Sequence, residues 1–383
     1  KFILRWYLPE KLAKTLICRK PLYKQGSKYM EKPIVKIYHA VDETGDSYMR
    51  MEKAGIKVDW QRGVWDSNEK DRHEEEIIFD ADTVVGVGVA NRTIQITRKS
   101  LESAPQLRMI AKYTNGYDNV QVDAASELGI IVVHSPTESN WGGVAEGTMA
   151  YILCLLKKVR EKDRAVKSGN WRDPSLFGTY VGSRISDGYE GITIGIIGLG
   201  RIGSRLADLF APWRVTLLAH DPYVEDAKFV HHNVKRMDLE TLLKQSDVVT
   251  LHCDLNEETT NLISTEALEK MKPTAILVNA ARGPCVDLNA LVDALLQEKI
   301  AGAALDALTE EPPNPQSALL GLEDKVLLSP HMITANHGGG LIPAIPWVEA
   351  AVYSALKGEV PNYVVNVDVL PKWRERFGGK SLL

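Results

Sequence analysis

Gly195-Ile196-Ile197-Gly198-Leu199-Gly200-Arg201-Ile202-Gly203 ends an apolar run that begins at Ile192, and it opens a helical pattern through Leu206, Leu209 and Phe210. A strand, a glycine turn and a helix in direct succession set the fold class, because this is the first unit of a doubly wound α/β sheet. Gly198 permits the tight turn, Gly200 lets backbone approach a pyrophosphate, and Gly203 lets helix and strand pack closely. Arg201 and Ile202 fall in the turn itself, where free N–H groups at the helix start would meet phosphate. In isolation the motif also suits a plain glycine-rich turn. The next apolar run, 215–220, ends at Asp221, and 221 minus 203 gives 18, close to the roughly 20-residue spacing of an acid that hydrogen-bonds ribose hydroxyls. Asp221 would repel a 2′-phosphate, and no Arg occurs in Pro222, Tyr223 and Val224, so NAD is expected over NADP. Asp221 also suits the start of a turn before Pro222.

Working outward, strand signals recur at 192–197, 215–220, 248–252, 275–279, 301–305 and 326–328, six in all, with helical patterns between the earlier ones at 239–245 and 288–299. Upstream, strand-length apolar runs at 34–41, 83–89, 107–113 and 130–133 alternate with helical patterns, which implies parallel pairing in a second, smaller α/β domain. Val144, Ala145, Met149, Ile152, Leu153 and Leu156 read as a long amphipathic helix bridging the two. The stretch 169–191 lacks periodicity and reads as a surface connection. Residues 1–30 form an arm with eight Lys or Arg against Glu10, interspersed with aromatics. It suits either a segment wrapping a partner subunit or a solvated extension, and no chemistry attaches to it.

At 383 residues the chain exceeds what one core usually supports. Its 44% hydrophobic and 25% charged residues place it with globular proteins. A net charge of -4 offers no field for nucleic acid or anionic lipid, and the apolar run 150–156 is far short of a membrane span, so neither is an expected partner. Cys18, Cys154, Cys253 and Cys285 are scattered without metal-ligand spacing, so no metal is expected and a reducing, cytoplasmic setting fits. The first residue is Lys1, so a leader upstream stays open.

Three reactive side chains follow successive strands: Arg282 after 275–279, Glu311 after 301–305 and His331 after 326–328. Ligands of an open α/β sheet lie outside its carboxyl edge. A planar guanidinium can grip the carboxylate of a 2-oxo acid through paired hydrogen bonds, which suits Arg282. Hydride addition to the carbonyl makes an alkoxide that needs a proton, which suits His331 as general acid and base. Glu311 can orient and charge-stabilise that imidazole. Taken singly, Arg282 also suits a surface ion pair, Glu311 a solvated acid and His331 a packed histidine. His337 is the rival base, and His252 with Asp254 ends a strand near the cofactor.

The chain resembles the D-isomer-specific 2-hydroxyacid dehydrogenase family. The matching stretches are the glycine motif, His220-Asp221-Pro222-Tyr223, Val278-Asn279-Ala280-Ala281-Arg282-Gly283, Ala304-Leu305-Asp306 through Glu311-Pro312, and Ser329-Pro330-His331, with Asp118-Asn119-Val120 and Val144-Ala145-Glu146 besides. The resemblance spans roughly residues 80–335. It implies an NAD-binding Rossmann domain over 142–335, inserted in a flavodoxin-like α/β substrate domain made of 1–141 and the returning tail 336–383. It implies further that Arg282, Glu311 and His331 are catalytic. Asn115 and Gly116 would form the substrate-carboxylate loop, while Asp221, Cys253, Ala280 and Asp306 would contact the cofactor and the chain would form a homodimer. Thr114 stands where the family usually has glycine, Cys253-Asp254 replaces an apolar or Thr residue followed by Pro, and the tail after His331 is unusual. Alternatives within the fold are an NAD(H)-sensing binding protein and a formate- or phosphite-type dehydrogenase. Asn140 fits the formate branch, which carries Gln at the place of Glu311.

Overall fold

Apolar runs separated by helices fold as parallel strands, since each helical crossover returns the chain to the same sheet edge. The computed structural model describes residues 32–60, 74–88, 95–337 and 339–383, so the basic arm expected over 1–30 lies outside the described residues. Pro33–Leu383 form one compact unit, and it contains two sheets in which every strand pairing is parallel.

The first sheet holds β1 (Ile34–Ile37), β2 (Lys57–Trp60), β3 (Thr83–Gly86), β4 (Met109–Lys112) and β5 (Ile131–Val133) in the order β2-β1-β3-β4-β5. That order is flavodoxin-like, with its reversal between β1 and β3. The second holds β6 (Thr193–Ile197), β7 (Thr216–His220), β8 (Lys235–Arg236), β9 (Val248–Leu251), β10 (Ile276–Asn279), β11 (Gly302–Leu305) and β12 (Val326–Leu328), ordered β12-β11-β10-β9-β6-β7-β8. Its reversal lies between β6 and β9, where a dinucleotide binds in doubly wound sheets. Asn279 stands opposite Leu305, and Leu305 opposite Leu328, so β10, β11 and β12 end level and the segments after them leave from one edge.

The strand count differs from the sequence reading at both sheets: β2 and β8 were not expected, so the second sheet has seven strands rather than six. Both are edge strands. β2 mixes Lys57 and Asp59 with Val58 and Trp60, and β8 is two exposed cations, Lys235 and Arg236. Charged edges lack the apolar run that marks a central parallel strand.

The helix Glu138–Lys157 buries Val144, Ala145, Ile152 and Leu156. Ala145, Ile152 and Leu156 join the second sheet's core beside Ile194, Ile196 and Val248. The returning tail completes the first sheet instead: Val348, Val352 and Leu356 of helix Ile345–Lys357 and Trp373 of helix Leu370–Phe377 share a cluster with Val35, Ile37 and Met109. Between residues 169 and 191 the chain forms only the 3-10 turn Pro174–Leu176 and a bridge between Arg184 and Tyr189. Among the described residues no helix is long and apolar enough to cross a membrane.

Candidate active site

Gly198 adopts φ 92°, open only to glycine without strain, and a Cβ there would come within 2.7 Å of the His252 carbonyl group across the β6/β9 reversal. A Cβ on Gly203 would meet the Gly198 carbonyl oxygen at 2.1 Å, so this glycine sets how closely the helix Arg201–Phe210 approaches its strand. Gly200 has open space on its Cβ side. Beside this turn runs a cleft of about 430 Å3 lined by Gly198, Gly200, Arg201, Ile202, Asp221 and Cys253, among others. Open backbone at a helix N-terminus, an acid one strand away and this volume fit a dinucleotide.

Asp221 accepts hydrogen bonds from the Leu199 N–H at 2.8 Å and the Tyr223 N–H at 3.0 Å, so its carboxylate also ties the glycine turn to the end of β7. Arg236, remote in sequence, donates to the Asp221 carbonyl at 3.0 Å, and its guanidinium also pairs with Asp226 at 2.5 Å. His252 lines the same cleft; its Nε2 bonds the Thr250 hydroxyl at 2.9 Å, and burial pushes its imidazole down to about 3, so it is neutral at ordinary pH. The Cys253 thiol is hydrogen-bonded to Cys285 and buried, both of which raise its proton affinity; it is no thiolate nucleophile.

A second cleft of about 360 Å3 carries the reactive groups: Arg282, His331, Asn115, Gly116, Ala280 and Asp306 line it together. Asn115 and Ile202 line both clefts and so mark their junction. The Asn115 side-chain oxygen is buried without a hydrogen-bond partner there. Ala280 and Asp306, expected at the cofactor, line this second cleft and not the first. Gly203 lines neither, because it packs against Gly198.

His331 Nδ1 lies 3.0 Å from each Glu311 carboxylate oxygen, so Nδ1 carries hydrogen toward Glu311 and Nε2 is left for a ligand. Glu311 Oε1 also accepts the Leu308 N–H at 2.9 Å, which fixes the carboxylate. His331 itself has φ 56°. Its N–H bonds the Asp306 carbonyl at 3.0 Å, while the Asp306 carboxylate accepts the Met332 and Ile333 N–H groups at 3.0 and 3.1 Å and the Ser329 hydroxyl. The Asp306 carboxylate is thus committed to the turn that presents His331.

Sequence reading gave no role to Asp118, which pairs with Arg282: its Oδ2 accepts from Nε at 3.0 Å and Nη2 at 2.9 Å. Burial opposes the guanidinium charge, but the Asp118 carboxylate outweighs it and holds Arg282 above its usual range. Nη1 donates to the Ala281 carbonyl at 2.8 Å. Three of five N–H groups are so engaged and two are left for a ligand. His134 was also missed; its Nδ1 donates to the Asn115 carbonyl at 2.9 Å and steadies that loop. His337, the rival base, lines the same cleft as His331, but no carboxylate is paired with it among the described residues.

The profile of the family described as D-isomer specific 2-hydroxyacid dehydrogenase, NAD binding domain, matches residues 149–332. A glyoxylate reductase of Thermofilum pendens is 38% identical over 281 residues, which cover 73% of this chain and 80% of that protein. A D-3-phosphoglycerate dehydrogenase of Archaeoglobus fulgidus is 35% identical over 302 residues, 79% of this chain but 53% of the longer relative. Among solved structures, the TT0316 protein from Thermus thermophilus superposes with a TM-score of 0.73 at 27% identity, covering 87% of this chain and 99% of that one.

Proposed function

The chain belongs to the D-isomer specific 2-hydroxyacid dehydrogenase family, and on that basis we propose that it interconverts a D-2-hydroxy acid and its 2-oxo acid, with NAD as cofactor and Arg282, Glu311 and His331 as the reacting machinery. Bound NAD(H) supplies or takes up the hydride. Gly198, Gly200, Arg201, Ile202 and Asp221 would hold the cofactor, with Cys253 beside it. In this reading residues 142–335 bind the cofactor, and 1–141 with 336–383 bind the substrate.

Arg282, braced by Asp118, grips the substrate carboxylate with its two remaining N–H groups, beside the Asn115-Gly116 loop. The carbonyl oxygen then lies toward His331, which delivers a proton from Nε2 during reduction and takes it back during oxidation. Glu311 holds the ring by Nδ1, which leaves Nε2 to face the substrate. The observation that most supports the reading is this bidentate His331–Glu311 pair at a cleft shared with Arg282. A formate-type reaction would need no proton carrier, so the pair disfavours it.

Loss of NADH absorbance on glyoxylate, hydroxypyruvate and a bulky aryl 2-oxo acid tests the proposal. Arg282→Ala is expected to abolish turnover, by at least ~10³-fold, while NADH binding stays nearly intact. An active Arg282→Ala enzyme would falsify the assignment. Retained NADH binding with no turnover on any 2-oxo acid would favour a sensing role instead.

We also read the chain as a cytoplasmic homodimer joined through its cofactor-binding half. Trp171, Phe177 and Ile185 are 73%, 78% and 91% exposed on the irregular connection of that half, and apolar exposure of this size supports an interface there. A monomer in light scattering at micromolar concentration would rule this out.

A further inference from the structure

We propose that the outer part of the substrate cleft selects an unphosphorylated 2-oxo acid with an uncharged side chain, and that Glu43 turns phosphorylated acids away. This rests on the dehydrogenase reading above and concerns only which acid the cleft accepts.

Glu43 stands at a position where ligands collect. The first sheet reverses its order between β1 and β3, and open parallel sheets bind ligands outside the strand ends at such a reversal. Val41 and Glu43 follow β1, Val87 and Gly88 follow β3, Asn115 and Gly116 follow β4, and all six line the cleft. Since Asn115 and Gly116 sit beside Arg282, the β1 segment lies two strand spacings away, roughly 10 Å from the carboxylate anchor. A substituent on C3 of an anchored acid has this stretch of cleft to occupy.

The turn that carries Glu43 is built rather than loose. The buried Asp42 carboxylate accepts the Thr44 N–H and hydroxyl at 3.1 and 2.7 Å, the Gly45 N–H at 3.2 Å, and the Ser47 N–H and hydroxyl at 2.7 and 2.6 Å. The backbone at Glu43 is thereby held beside the cleft, while its side chain is exposed and without an ion pair among the described residues.

Charge decides the selection. Among the described lining residues Arg282 is the only Lys or Arg, and it is committed to Asp118 and the substrate carboxylate. A phosphate brings nearly two further negative charges, meets Glu43 and finds no second Lys or Arg among the described lining residues. Across several ångströms of partly screened cleft, that repulsion corresponds to roughly tenfold to a thousandfold in kcat/KM. A hydroxyl meets no such penalty, and Asn336 and His337 in the same lining offer it hydrogen bonds.

The test is kcat/KM of the full chain with NADH on hydroxypyruvate and 3-phosphohydroxypyruvate, at low and high salt, for the wild type, Glu43→Gln and Glu43→Lys. The wild type is expected to prefer hydroxypyruvate by at least about tenfold, with the preference shrinking as salt rises. Glu43→Lys should lower that ratio by about tenfold or more, with Glu43→Gln between. A wild type that reduces the phosphorylated acid as well or better, or a ratio that neither folded variant moves, overturns the inference and leaves the dehydrogenase reading standing. If no 2-oxo acid is reduced, the dehydrogenase reading itself has failed and this inference falls with it. Should both variants lose NADH binding through misfolding, the wild-type ratio and its salt dependence decide.

Discussion

His331 holds φ 56°, a left-handed region that few non-glycine residues occupy and that His enters more readily than most. Asp306 braces this turn, accepting two backbone N–H groups and the Ser329 hydroxyl on one carboxylate and the His331 N–H on its carbonyl. The consequence is an imidazole whose position is set by the chain and whose Nδ1 is held by Glu311. Glu311→Gln keeps shape but loses the charge, so kcat for reduction should fall by about 10- to 100-fold with NADH affinity unchanged. Stopped-flow turnover alongside NADH fluorescence titration measures both, and a weaker NADH affinity with normal kcat would contradict the assignment. Arg282, Glu311 and His331 stand out in the sequence because each lies within six residues of the end of an apolar strand. Asp118 could not be given its role, since its partner lies 164 residues away and only folding joins them.

β4 carries a residue that no apolar-strand pattern explains. Lys112 is fully buried, and its ammonium donates to the Tyr38 hydroxyl while lying 5.1 Å from that ring's centroid. Burial pushes it down from 10.5 to about 7, with Asp118 opposing. Between about pH 7 and 10.5 the unfolded chain therefore holds a proton that the folded chain has released. Stability should rise with pH across that window, by at most about 1.4 kcal/mol per pH unit. Lys112→Met should flatten this rise and be the more stable protein near pH 7; the Tyr38 hydroxyl keeps its bond to the Val87 carbonyl. Urea melts at pH 7 and 9 on both proteins test this, and identical pH slopes would refute it. Central strands were recognisable from their apolar runs, whereas β2 and β8 were hidden by the charges that protect an edge.

The whole molecule depends on its last forty residues more than their position suggests. The Trp373 indole N–H bonds the Arg108 carbonyl at 2.9 Å, and Arg108 in turn donates to the carbonyls of Ala355, Leu356 and Lys380, so the tail is stitched to the start of β4. Removing residues 341–383 would strip Val348, Val352, Leu356 and Trp373 from the first sheet's core. Trp373→Ala alone should cost about 3–5 kcal/mol. The truncated chain should therefore show no cooperative melt of the first sheet by circular dichroism, and a soluble, cooperatively melting truncation would disprove this dependence. By itself the sequence determined the α/β class, the dinucleotide turn and the residues at the strand ends, because those features follow from local periodicity, glycine sterics and parallel-sheet direction. The tertiary structure alone decided which carboxylate braces Arg282, that Asp306 serves the His331 turn, and that Glu43 lines the same cleft as Arg282. Each of those is a meeting of segments far apart in the chain, and burial of the hydrophobic clusters that cover both sheets, not local propensity, brings them together.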